Sequence, residues 1–139
     1  MGIQQIRSQN LLCSPNGMRK PLLHIENLSF SILESKARRS LFSDVNLSIC
    51  EGDRLGILGA SGSGKSMMAA CATQSVPRYV EHSWEGKILL HHRDQALSFK
   101  ETPLKKLRPA IAKEIGMVFQ EPGSALNPVM TCGAHLVEN

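Results

Sequence analysis

Apolar positions along this chain fall into alternating runs and continuous runs, and the two kinds predict different elements. Leu22 to Ile32 suits a strand, with Leu28 and Phe30 on one side of the pleat. Val45-Asn46-Leu47-Ser48-Ile49 alternates apolar with polar, as a half-buried strand does. Between them Glu34 to Arg39 reads as the solvated tip of a hairpin, and no aromatic residue interleaves its charges as a nucleic-acid stacking surface requires. Arg54-Leu55-Gly56-Ile57-Leu58 is a short apolar run suited to a parallel strand covered on both faces, and Ile115-Gly116-Met117-Val118-Phe119 is a second buried-strand candidate. Gly86-Lys87-Ile88-Leu89-Leu90 is a further short strand. Met67 to Ala72 is almost wholly apolar and predicts a helix packed under a sheet, ended by Pro77. Leu104 to Ala112 is basic and partly helical, with Pro109 as an interruption. Asn127-Pro128 makes a turn, and Thr131 is the N-cap of a helix running towards Asn139. Strands and helices of this mixture indicate an α/β protein.

The length of 139 residues allows one domain with a real core. No run of about 18 apolar residues occurs, so no helical membrane span is predicted. Met1 to Lys20 is polar and mixed, lacks the apolar segment of a secretory signal, and carries a turn at Ser14-Pro15-Asn16-Gly17. Met18 stands directly before the first patterned segment and reads as the translation start. Residues 1–20 are therefore expected to be an unstructured leader, and 21–139 the folded part. A net charge of +4 favours ATP, a membrane surface or RNA without choosing among them. Four cysteines, Cys13, Cys50, Cys71 and Cys132, show no metal-ligand spacing, and disulfides are not expected. Cys71 fits as a small buried residue of the apolar helix. His91 and His92 face opposite sides if they continue a strand, so they share no metal and read as solvated strand-end residues.

Candidate chemistry is concentrated in Gly59-Ala60-Ser61-Gly62-Ser63-Gly64-Lys65-Ser66, which reads G-x-x-x-x-G-K-S. Glycines allow backbone N–H groups to turn inward towards phosphate oxygens. The Lys65 ammonium reaches terminal phosphates as a mobile point charge, and the Ser66 hydroxyl is a ligand for Mg²⁺. A helix beginning near Lys65 adds unpaired N–H groups and the positive end of its dipole. An apolar run on one side and an apolar helix on the other supply the strand–loop–helix setting that the motif requires.

A second motif, Val118-Phe119-Gln120-Glu121-Pro122, places a neutral amide at the end of a buried-strand candidate, suited to Mg²⁺ and an attacking water. With the 59–66 loop, the approach Asn46 to Leu58 and the stretch Ala125-Leu126-Asn127-Pro128-Val129-Met130-Thr131, it resembles the ATP-binding subunit of ABC transporters, and more narrowly the oligopeptide/dipeptide/nickel importer group. The likeness runs from about Leu22 to the C-terminus. It implies a P-loop NTPase core fragment, with an N-terminal antiparallel β subdomain and the start of the helical subdomain. ATP and Mg²⁺ are the implied cofactors. Gly59, Ala60, Ser61, Gly62, Ser63, Gly64, Lys65, Ser66 and Met67 would contact ATP, Ser66 and Gln120 would serve Mg²⁺, and Lys65 and Gln120 would carry the catalytic roles. Residues 126–131 would lie towards a transporter interface.

The same likeness implies transmembrane permease subunits, a second ATP-binding subunit in a homo- or heterodimer, and indirectly a solute-binding protein, but no nucleic acid. The implied location is the cytoplasmic face of the cell (inner) membrane, peripherally bound. The cargo would be peptides or a related small solute, nickel included. The family's adenine-stacking aromatic aligns with Ile32, and Phe30, on the same strand face, offers a substitute. The family's signature loop, its apolar strand ending in Asp-Glu and its switch histidine have no match in these residues, so the chain reads as a truncated cassette. That makes a non-catalytic nucleotide-binding remnant the alternative, with a P-loop kinase or GTPase as a weaker one.

Overall fold

A computed structural model describes residues 19–34, 37–118 and 126–137. Strands β1 (Pro21–Glu34), β2 (Ala37–Cys50), β3 (His82–His92) and β4 (Gln95–Ser98) form one sheet in the order β2-β1-β3-β4, every neighbouring pair antiparallel. Helix α1 (Lys65–Ala72) follows the 59–66 loop, α2 (Leu104–Glu114) follows the sheet, and α3 (Cys132–Val137) closes the described part.

The β1–β2 hairpin is longer than the alternation alone predicts. Glu34 pairs with Ala37, so much of the expected charged tip is ladder, and Arg39 Nη1 donates to Glu34 Oε2 at 3.4 Å. Its register shifts around Asn27 and Asp44, both at positive φ. The Asn46 side chain holds these two irregularities together, accepting from the Asn27 N–H at 2.9 Å and donating to the Asp44 carbonyl at 3.1 Å. Across the sheet, Gly86 meets the first bulge: a Cβ there would come within 2.5 Å of the Glu26 and Asn27 carbonyl oxygens, at φ +94°. Only glycine fits that approach.

One face of the sheet makes the core. Ile25, Leu28, Phe30, Leu47, Ile88 and Leu90 are buried there, joined by Met68 and Cys71 from α1 and Leu107 and Ala110 from α2. The Cys71 thiol is pushed up to about 11 by burial. That packing carries α2 straight through Pro109, where an interruption was expected. A proline inside a helix costs about 3 kcal/mol, comparable to what burial of one large apolar side chain returns, and Leu107 is wholly buried.

Helix α1 ends before Pro77. Gln74 adopts φ 54°, its N–H bonds to the Cys71 carbonyl at 3.2 Å and the Ser75 N–H to the Ala70 carbonyl at 2.8 Å. These two bonds form a left-handed helix stop, which makes the proline unnecessary as a terminator. At α3 the expected cap is present, with the Ala134 N–H donating to Thr131 Oγ1 at 3.2 Å.

Three expectations fail. Arg54–Leu58 and residues 115–118 lie outside any sheet, although both runs read as buried strands. A parallel strand is held by neighbours on its hydrogen-bonding edges, and among the described residues no strand lies alongside either run. Leu55 and Ile57 line an apolar groove of about 450 Å³ with Ile49, Met68, Ile115 and Met117, while Leu58 and Val118 are 82% and 90% exposed. Cys50 is disulfide-bonded where no disulfide was expected, whereas Cys71 and Cys132 are free thiols. Finally, His92 is not merely solvated: its Nδ1 lies 2.6 Å from Glu114 Oε1 and ties the end of β3 to α2.

Candidate functional site

The turn after Cys50 directs the chain towards the loop. The Asp53 N–H bonds back to the Cys50 carbonyl at 3.1 Å, Asp53 Oδ2 accepts from the Cys50 N–H at 2.9 Å, and Arg19 pairs with Oδ1 at 2.8 Å. Beyond Leu58 the loop curls over itself. The Ser63 N–H donates to the Ala60 carbonyl at 3.2 Å, and a Cβ at Gly59 would sit 2.7 Å from Ser63 Oγ, so this near-contact needs glycine. Gly64 is the residue before α1, at φ 92° and ψ 7°, and a Cβ there would press within 3.2 Å of Phe42 Cδ1. The loop therefore rests on β2 and is positioned by the antiparallel sheet.

Its polar groups are arranged for a polyanion. Helix α1 begins with no side-chain cap and no acidic residue in its first turn, which leaves its N-terminal amides and the positive dipole end at the loop. Lys65 folds back so that Nζ donates to the Gly59 and Ala60 carbonyls, each at 2.8 Å. Carbonyl oxygens are neutral acceptors, and phosphate oxygens are stronger ones for an ammonium. Ser63 Oγ is buried and has no hydrogen-bond partner. An orphaned buried hydroxyl costs about 1–3 kcal/mol, a cost that an acceptor entering the loop removes. Ser66 is exposed on the first turn. Together these features fit a chain of phosphates, and Ser66 lies beside them on the first turn of α1.

The structure brings Gly59, Ala60, Ser61, Gly62, Ser63, Gly64, Lys65, Ser66 and Met67 into one continuous loop and helix start. Gln120 falls outside the described residues. Among the described residues no cluster of three or more His, Cys, Asp or Glu side chains is suited to a metal, and His91 and His92 form none. Burial and the neighbouring His24 push the His91 imidazole down. Phe30, the expected substitute for an adenine-stacking ring, is excluded. It is wholly buried, stacked on Phe42 at 5.6 Å and on His82 at 5.3 Å between centroids. Sequence reasoning missed His82, whose exposed ring closes that stack. His82 pairs with Ile32, and Phe30 with Trp84, so the stack runs diagonally across the ladder and no single stretch of sequence signals it.

A family model described as "ABC transporter" matches residues 42–136, from Phe42 beneath the loop to the end of α3. The chain belongs to the ABC transporter family. Among curated proteins this family member is 36% identical to the peptide transport system ATP-binding protein SapD of Haemophilus influenzae, over 85% of this chain and 32% of that protein. It is 35% identical to the uncharacterized ABC transporter ATP-binding protein YejF of Escherichia coli, over 87% of this chain and 22% of that one. To the oligopeptide transport ATP-binding protein OppD of Bacillus subtilis it is 32% identical, over 84% and 32% respectively. The chain thus spans about a third or less of the length of these relatives. No solved structure matches it. Among the described residues no helix is long and apolar enough to cross a membrane.

Proposed function

We propose that this chain supplies the phosphate-binding part of an importer ATPase, taking MgATP at Gly59–Ser66 and linking it to uptake of peptides or a related small solute. The observation that carries the reading is the loop itself: Lys65 Nζ held at 2.8 Å on two loop carbonyls, beside a buried Ser63 hydroxyl with no partner. Amides at the start of α1 bind the β- and γ-phosphates, Lys65 exchanges its carbonyl partners for phosphate oxygens, and Ser66 takes Mg²⁺. Gln120 links the nucleotide site to the parts that touch the transporter. The relatives' names support the peptide assignment, and nickel is a further cargo of the same kind. Partners on this reading are transmembrane permease subunits, a second ATP-binding subunit and, indirectly, a solute-binding protein, at the cytoplasmic face of the membrane.

A second reading is nucleotide binding without turnover, since phosphoryl transfer to water needs, beyond a phosphate loop, a residue that positions or deprotonates that water.

Calorimetric titration of the full chain with MgATP tests the first reading. Lys65→Ala is expected to weaken binding roughly ten- to a hundredfold, the value of a charge-assisted hydrogen bond lost. Equal affinity in both proteins would remove the loop as the site. Phosphate release by the same samples, abolished in Lys65→Ala, separates the two readings.

A further inference from the structure

The face of the sheet turned away from the core carries a row of polar side chains that nucleotide binding does not use. Side chains alternate along a strand. Ile25 and Leu47 are buried and paired with each other, so their neighbours His24 and Ser48, also paired, meet on the opposite face. Glu26, two residues along β1 from His24, stands on that face as well. The three side chains are bonded in sequence: Ser48 Oγ lies 2.5 Å from His24 Nδ1, and His24 Nε2 lies 2.9 Å from Glu26 Oε1.

The partners fix where the protons are. The hydrogen bond from His24, and more weakly the Lys87 ammonium 3.8 Å from Oε2, hold the Glu26 carboxyl below its ordinary value. Glu26 is therefore a carboxylate, which only accepts. His24 Nε2 then carries the hydrogen of the neutral ring, Nδ1 keeps its lone pair, and the Ser48 hydroxyl donates to it. A hydroxyl donating to an imidazole that a carboxylate orients is the relation of nucleophile, general base and orienting group. Among the described residues Ser48 is the serine with an imidazole partner. Ser29 and Ser98 accept from the Asp44 and Glu101 N–H groups, and Ser75 meets the Thr73 hydroxyl.

We infer that Ser48 is an activated nucleophile that accepts an acyl group from an activated ester or thioester. Ser48 Oγ forms a bond to the acyl carbon, and the bond from that carbon to the leaving oxygen or sulfur breaks. The Oγ proton passes to His24 Nδ1 and from there to the departing alkoxide or thiolate. Glu26 is a positioning residue: it fixes the tautomer of His24 and steadies the imidazolium formed during the step. Access is open, because β2 is the edge of the sheet and both Ser48 and His24 are only half-buried. The row supplies a base and its orienting group but no donor aimed at a tetrahedral oxyanion, which is the larger part of fast acyl transfer. Its chemistry is therefore the uptake of one acyl group per chain, without rapid turnover.

The test treats the full chain with p-nitrophenyl acetate and, separately, with a fluorophosphonate, which phosphonylates activated serines with loss of fluoride; modified peptides are located by mass spectrometry. Both reagents are expected to label Ser48, and Ser48→Ala to lose that label. His24→Gln is expected to slow labelling about a hundredfold, the lower end of what a general base contributes. Glu26→Gln keeps an acceptor for the Nε2 hydrogen without the charge, and is expected to slow it about tenfold. Imidazole ¹⁵N spectra of the wild type are expected to show His24 protonated at Nε2. All three side chains point away from the core, so the variants are expected to melt with the wild type. Absence of a Ser48 adduct, an unchanged rate in His24→Gln, or a neutral His24 protonated at Nδ1 would each overturn the assignment. No nucleotide enters any of these measurements, so their failure leaves the phosphate-loop reading untouched.

Discussion

The antiparallel sheet and the segments that flank the phosphate loop are built from equally apolar runs, yet they end in opposite states. Ile25 and Phe30 find ladder partners on both sides, Leu28 on the β2 side, and all three are buried. Leu58 and Val118, in runs just as strand-like, are almost fully exposed. The difference teaches that hydrophobic pattern confers burial only where backbone hydrogen bonds can be closed nearby. A hairpin closes its own, because its two strands are joined by a tight turn. A parallel strand depends on chain that is distant in sequence. The phosphate loop sits on the boundary between the two regions and takes its support from the finished one, through Gly64 against Leu41 and Phe42.

The largest expected effect is in the finished region. Phe30→Ala removes the middle ring of the stack and is expected to cost about 3–5 kcal/mol in denaturant unfolding. A loss under about 1 kcal/mol would mean that the sheet is not what holds the chain together.

A smaller effect comes from α1, which bridges the two regions. Cys71 has its thiol raised from an ordinary 9.0 to about 11, so folding favours the neutral form. The stability it contributes is fully present below about pH 9 and is lost as pH rises through about 11. Melting temperatures of wild type and Cys71→Ala are expected to differ in slope within that window, the wild type falling more steeply; parallel curves would show that α1 is not packed as described.

The smallest effect lies in the unfinished region. Leu58→Ser is expected to change stability by no more than about 0.5 kcal/mol, as exposed positions do. A loss of about 2 kcal/mol, the size of a buried side chain, would show that Leu58 is covered and that the contrast between the regions is false.

Much of this was legible in the chain. The β1–β2 hairpin and the α1 start lie where alternation and glycine placement put them, because each depends on interactions within a few residues or across a short turn, while β3 contains the expected Gly86–Leu90 run but begins already at His82. The candidate loop was legible for the same reason: eight consecutive residues carry it, and their backbone geometry is nearly self-contained. Strand β4 was missed, since only Leu97 of its four residues is buried and the turn at Arg93-Asp94 contains no glycine. Pro109 sits inside a helix against its propensity because Leu107 and Ala110 of α2 pack into the core formed by the sheet, which the local sequence does not contain.

What the sequence determined by itself was therefore local: a phosphate-type loop, the helix behind it and the antiparallel hairpin before it, all fixed by short-range sterics and hydrogen bonding. What only the tertiary structure decided was which apolar runs are covered and which ring is left facing solvent. Phe30 and His82 are both flat and both in strands, but cross-strand register buries one and exposes the other, and register is a property of pairing between strands, which no single stretch of residues contains.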